Sequence, residues 1–141
     1  MRRMVVVMAI GRRTSNVAAS VLLVGGLHPV ADSALPIPRQ AATVIHAVSR
    51  AAAGRDRAAL RSAMHSEFIW SFGGDANAEQ AIDEWFRHPH TLRALSKATQ
   101  SPCAYGADKV IECPARAGSS RRAGFQRIHG EWKMVYFVAG D

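Results

Sequence analysis

Apolar residues recur at helical spacing between residues 40 and 100 and at strand spacing after Pro102, with one strand-like interruption between them. This order constrains the fold more than any other feature of the chain. Helices first and strands later is the pattern of an α+β domain, N-terminal helices packed on a curved antiparallel sheet, rather than of an alternating parallel sheet. Residues 40–53 place Ala41, Val44, Ile45, Val48, Ala51 and Ala52 on one helical face, with Gly54 where a C-terminal cap belongs. Asp56 then caps a short helix with Leu60, Ala63 and Met64 inward. Residues 67–72 switch to period two, with Phe68, Trp70 and Phe72 on one side and Glu67, Ile69 and Ser71 on the other.

Asn77 with Gln80 opens a third helix that buries Ala81, Ile82 and Trp85, and Asp83 and Arg87 stand at i,i+4 on its wet side. Pro89 separates it from a fourth helix carrying Leu92 and Leu95, with Arg93 and Lys97 suited to its C-terminal dipole. Strands follow at residues 109–113, 122–128 and 131–139, the last two joined through a His129-Gly130 turn. Trp132, Met134, Tyr136 and Val138 share one face of the last strand, while Val135 and Phe137 make the other face apolar. Such a strand belongs in the middle of its sheet.

The segment ahead of this pattern reads as an export leader, residues 1–33. Arg12-Arg13 form a basic n-region and residues 17–27 an uncharged run too short to span a bilayer. Pro29 follows it, and Ala31-Asp32-Ser33 sets small residues before a cleavage ahead of Ala34. A second arginine pair, Arg2-Arg3, makes Met8 the more conventional start. The mature protein is then an extended arm, residues 34–39, and one α+β domain, residues 40–141, periplasmic or secreted and without a transmembrane segment. The leader holds four of the 18 basic residues and one of the 11 acidic ones, so the remainder carries 14 against 10 and is only mildly basic. Arg116, Arg121, Arg122 and Arg127 cluster in sequence, but no reading element or stacking aromatics interleave them, so nucleic acid is not an expected partner. Inhibition of a basic envelope hydrolase is disfavoured by like charge.

Cys103 and Cys113 bracket a turn at Gly106-Ala107-Asp108 and, in an oxidising compartment, are expected to form a disulfide. Their spacing is not that of a redox Cys-x-x-Cys pair. Glu84 lies one helical turn before His88-Pro89-His90, three side chains of metal-ligand type, but the proline leaves their geometry unfixed, and no metal or cofactor is expected. Phe72-Gly73-Gly74-Asp75 reads as a tight strand exit and not as an anion site, and neither a nucleophile elbow nor a phosphate-binding loop occurs.

Two N-terminal helices, the Gly54-Arg55-Asp56 step, the strand Glu67-Phe68-Ile69-Trp70-Ser71-Phe72 and a hairpin ending in Trp132-Lys133-Met134-Val135-Tyr136 together resemble the nuclear transport factor 2-like superfamily. The resemblance covers most of residues 39–138 and implies a cone of helices on a strongly bent sheet, often around an apolar pocket. Members include isomerase-like and dehydratase-like enzymes and many domains without catalysis. Two function classes follow. One is a non-catalytic exported domain binding a small apolar ligand, an envelope component or another protein. The other is a small isomerase, lyase or hydrolase with an acid/base group in an apolar pocket. The candidate ligand-binding residues are Trp70, Tyr136, Glu67 and His65, with Ser71 a further polar group on the first strand.

Overall fold

The structure, a computed structural model, describes residues 35–71, 73, 77–116, 118 and 121–139. The leader, its cleavage site, Phe72 and the Gly74-Asp75 part of the strand exit lie outside the described residues.

Among the described residues, four helices pack on a five-stranded sheet: α1 (Arg39–Gly54), α2 (Arg57–Ala63), β1 (Met64–Ile69), α3 (Ala78–Arg87), α4 (Pro89–Gln100), β2 (Ala104–Tyr105), β3 (Ile111–Cys113), β4 (Arg122–Ile128) and β5 (Glu131–Val138). The architecture is α+β, and no described helix is long and apolar enough to cross a membrane. Helix boundaries follow local chemistry. Pro38, at φ −59°, precedes α1, and its carbonyl accepts the first helical bond from Ala42 N at 3.0 Å. The left-handed residue that ends α1 is Arg55 (φ 54°), one position beyond the expected Gly54, and Asp56 N closes back on Ala51 O at 2.8 Å. Asp56 accepts from Ala59 N to open α2, and Asn77 accepts from Glu79 N and Gln80 N to open α3. Asp83 pairs across to Arg57 of α2 at 2.6 Å, while Arg87 reaches Glu84 at 2.7 Å, in place of the expected Asp83–Arg87 pair. Pro89 occupies the first turn of α4, where its missing N–H costs no hydrogen bond.

The strand order is β1-β5-β4-β3-β2. β5 lies between β1 and β4, as its two apolar faces imply. The expected antiparallel sheet is in fact mixed, because β1 runs parallel to β5 while the other neighbours are antiparallel. Two helices and three strands separate β1 from β5 along the chain, a connection long enough for a parallel pair. β1 also begins earlier than expected and ends at Ile69. Phe68 is buried, whereas Trp70 lies just past the strand and is half-buried. At the hairpin, His129 and Gly130 both take positive φ (48° and 87°), the geometry a two-residue turn requires.

A bulge changes the facing of β5. Gly124 pairs with Tyr136 and Phe125 with Met134, so Val135 is the extra residue. The period-two face therefore shifts by one, and Met134 and Phe137 are fully buried together while Tyr136 turns to the opposite side. This corrects the expectation that Met134 and Tyr136 share a face. Phe137 instead joins the core, where Trp85 packs edge-on against both Phe68 (5.5 Å) and Phe137 (5.7 Å). Ile45, Val48, Leu60, Ile82, Leu92 and Leu95 from the helices meet Ile111, Phe125 and Met134 from the sheet in one buried cluster.

Cys103 and Cys113 form the expected disulfide, with Cα atoms 4.5 Å apart, across the short β2–β3 ladder. Gly106 N and Val110 O close the turn between them at 2.8 Å, around a 3₁₀ turn at Ala107–Lys109.

Gly124 is buried on the sheet face away from the core cluster because the Tyr136 ring lies across it. A methyl group there would stand 2.2 Å from Tyr136 Cζ. Gly124→Ala is therefore expected to cost roughly 1–3 kcal/mol through overpacking. The same change made in a Tyr136→Ala background should lose most of that penalty. Equal penalties in the two backgrounds, measured by denaturant unfolding, would show that the ring is not what excludes the methyl.

Candidate functional site

Two polar constellations stand out. The first lies on the sheet face away from the core, in a row across β3, β4 and β5. Glu112 sits opposite Gly124, and Gly124 opposite Tyr136, so the glycine lets the two side chains meet over its Cα. Tyr136 Oη donates to Glu112 Oε1 at 2.6 Å, and Arg122 Nη1 donates to Glu112 Oε2 at 3.1 Å. Gly106 admits the carboxylate from the other side, since a methyl there would stand 2.7 Å from Glu112 Cδ. Burial holds the Tyr136 phenol well above its ordinary pKa. The hydrogen bond to Glu112 and that carboxylate's charge push the same way, against a smaller opposing effect of Arg122. The phenol therefore stays protonated at neutral pH and acts as a donor, not as a base. Both Glu112 oxygens are occupied, while Arg122 Nε is buried with no hydrogen-bond partner among the described residues.

The second constellation surrounds Trp70. An open hollow of about 360 Å³ is lined by Trp70, by Glu84 and His88 at the end of α3, by His90 and Thr91 at the start of α4, and by Arg121 ahead of β4. Pro89 sets the junction between α3 and α4, so His88 and His90 flank it with ring centroids 5.8 Å apart. Glu84 Oε1 lies 3.1 Å from His88 Nε2, and its other oxygen accepts from Arg87. The Arg121 guanidinium stands 5.6 Å over the Phe137 ring. Trp70 Nε1 is buried with no hydrogen-bond partner among the described residues. A buried N–H of this kind carries a desolvation cost until an acceptor arrives.

No family model, curated protein or solved structure matches this chain.

The four candidate ligand-binding residues do not converge. Trp70 belongs to the hollow and Tyr136 to the sheet network, while Glu67 is exposed and His65 half-buried on β1, neither of them lining the hollow. His88, His90 and Glu84 do come together, but no group of three His, Cys, Asp or Glu with metal-binding geometry occurs among the described residues. Of the arginines clustered in sequence, Arg121, Arg122 and Arg127 turn to different partners. Arg122 pairs with Glu112, Arg121 lies over Phe137, and Arg127 donates to Gly130 O at the far end of β4. Sequence reasoning missed Glu112. The available signal was a lone acid flanked by the buried Ile111 and Cys113, which places it on the outward face of its strand.

Proposed function

We propose that this chain is an exported α+β domain of nuclear transport factor 2-like type that binds a compact, partly apolar ligand and carries out no chemistry on it. Export is supported by the leader-like residues 1–33 and by the Cys103–Cys113 bond, a linkage that persists in oxidising compartments. The non-catalytic reading is supported by the packing of Trp85 between Phe68 and Phe137, where a cone-type enzyme needs an open pocket, and by the engagement of Tyr136 with Glu112.

The observation that carries the binding reading is that Trp70, whose buried Nε1 has no hydrogen-bond partner among the described residues, and Arg121 line the same hollow. A ring N–H and a guanidinium lining one hollow suit an oxygen acceptor, and a carboxylate best. The volume lies at the lower end of small-molecule sites. The expected ligand is thus a small carboxylate with an apolar body, free or displayed on an envelope component.

Benzoate and 2-methylbutyrate, titrated against tryptophan fluorescence and calorimetry, should bind, with benzyl alcohol much weaker. Trp70→Phe keeps most of the ring and removes the N–H, and it is expected to weaken binding about tenfold or more, the scale of one hydrogen bond to a charged group. Affinity unchanged in both Trp70→Phe and Arg121→Gln, or no binding of either acid at millimolar concentration, would overturn the assignment.

A further inference from the structure

Several cations of the described surface have ion-pair partners. Arg57 pairs with Asp83, Arg61 with Glu79, Arg87 with Glu84, Arg122 with Glu112 and Lys133 with Glu131. The groove between the end of α1 and the length of α4 is different. It is a hollow of about 650 Å³ lined by Arg55, Arg93 and Lys97, with no acidic residue in its walls. Neither Arg93 nor Lys97 has an ion-pair partner among the described residues, and both are exposed. Arg55 projects from the left-handed residue that ends α1, with its guanidinium 5.7 Å from the centroid of the Phe86 ring. Ala52, Leu92 and Ser96 at its base are buried, and apolar surface is offered by the exposed Ala53 and the half-buried Pro89.

Helix dipoles explain only part of this arrangement. Lys97 lies in the last turn of α4, where a cation offsets the carbonyl end, but Arg93 is about two turns from that end. Three cations line this groove with no acidic residue in its walls and with apolar surface beside them, which suits an amphiphilic anion. Guanidinium groups favour oxyanions that accept two parallel hydrogen bonds, and a phosphate ester offers two or three non-bridging oxygens for them.

We propose that the α1–α4 groove binds a phosphate ester, its phosphate held by Arg55, Arg93 and Lys97 and its apolar substituent lying on Ala53 and Pro89. This site is separate from the Trp70 hollow, and Trp70→Phe should leave it unchanged. The same chemistry occurs in a soluble alkyl phosphate and in a phospholipid headgroup, and two arms distinguish these sources. In the first, hexyl phosphate and inorganic phosphate are titrated while backbone amide shifts are followed by NMR. In the second, the protein is sedimented with vesicles of equal phosphatidylglycerol and phosphatidylcholine, beside phosphatidylcholine alone.

Hexyl phosphate should bind more tightly than inorganic phosphate and shift amides in α4 and the last turn of α1. R93Q/K97Q should weaken binding roughly tenfold or more, on the basis of about a factor of five for each cation removed near an anionic group. The control R39Q/R127Q removes the same charge elsewhere and should stay within about twofold, as expected if site geometry and not net charge governs. Binding to the anionic vesicles alone, with the same sensitivity to R93Q/K97Q, would identify a membrane phosphodiester. Equal losses in the two double variants, or no binding in either arm, would overturn the proposal.

Discussion

Trp85→Ala is expected to lower the unfolding free energy by roughly 3–5 kcal/mol, a large share of the stability of a domain this size. Trp85 is 2% exposed and touches Phe68 of β1 and Phe137 of β5 edge-on, so it links α3 to two neighbouring strands. Truncation would leave a cavity bounded by those two rings, both held on strands of the sheet. Trp70, half-buried beyond the end of β1, should lose less when truncated, about 1–3 kcal/mol. Denaturant unfolding of the two variants beside the parent measures the contrast. A Trp85→Ala midpoint equal to that of the parent would refute the packed-core description.

Removing the disulfide is the second large effect. Cys103 and Cys113 are ten positions apart, and closing a loop of that size restricts the unfolded chain by roughly 2.5–3 kcal/mol on the entropy model. Cys113 is also fully buried, while the strands it ties, β2 and β3, have only two and three residues. So short a ladder has few hydrogen bonds of its own to keep it formed. The double variant Cys103→Ala/Cys113→Ala should therefore lose about that much stability and show the largest rise in amide exchange in β2 and β3. A loss under about 1 kcal/mol, with protection in β3 unchanged, would show that the hairpin holds without its crosslink.

The candidate site was legible to different depths. Of Glu84 and His88-Pro89-His90 only the spacing was readable, one helical turn from Glu84 to His88, because the proline left the geometry of the pair of histidines open. That Trp70 would join them, with its indole N–H lacking a partner, was not readable, since it depends on β1 ending at Ile69 and on how Arg121 enters β4. The Glu112–Tyr136–Arg122 network was hidden for a sharper reason. A single extra residue, Val135, reverses the facing of every position after it, and no residue type announces that bulge. Arg121, Arg122 and Arg127 lie close in sequence, yet their side chains go to different partners, because neighbours along an extended chain point to opposite faces.

By itself, the sequence determined what short-range physics controls. Helical periodicity set the buried faces of α1, α3 and α4, and side-chain capping by Asp56 and Asn77 set where two helices begin. His129-Gly130 set the final hairpin, and the short spacing of the cysteines set their bond. Tertiary structure alone decided the parallel insertion of β5 beside β1, the bulge that trades Tyr136 for Phe137 in the core, and the meeting of α1 with α4 that leaves Arg55, Arg93 and Lys97 around one groove. Those outcomes depend on contacts between residues far apart in the chain. Their energies come from packing volumes and from charges brought together in space, and neither quantity is written in any local window of sequence.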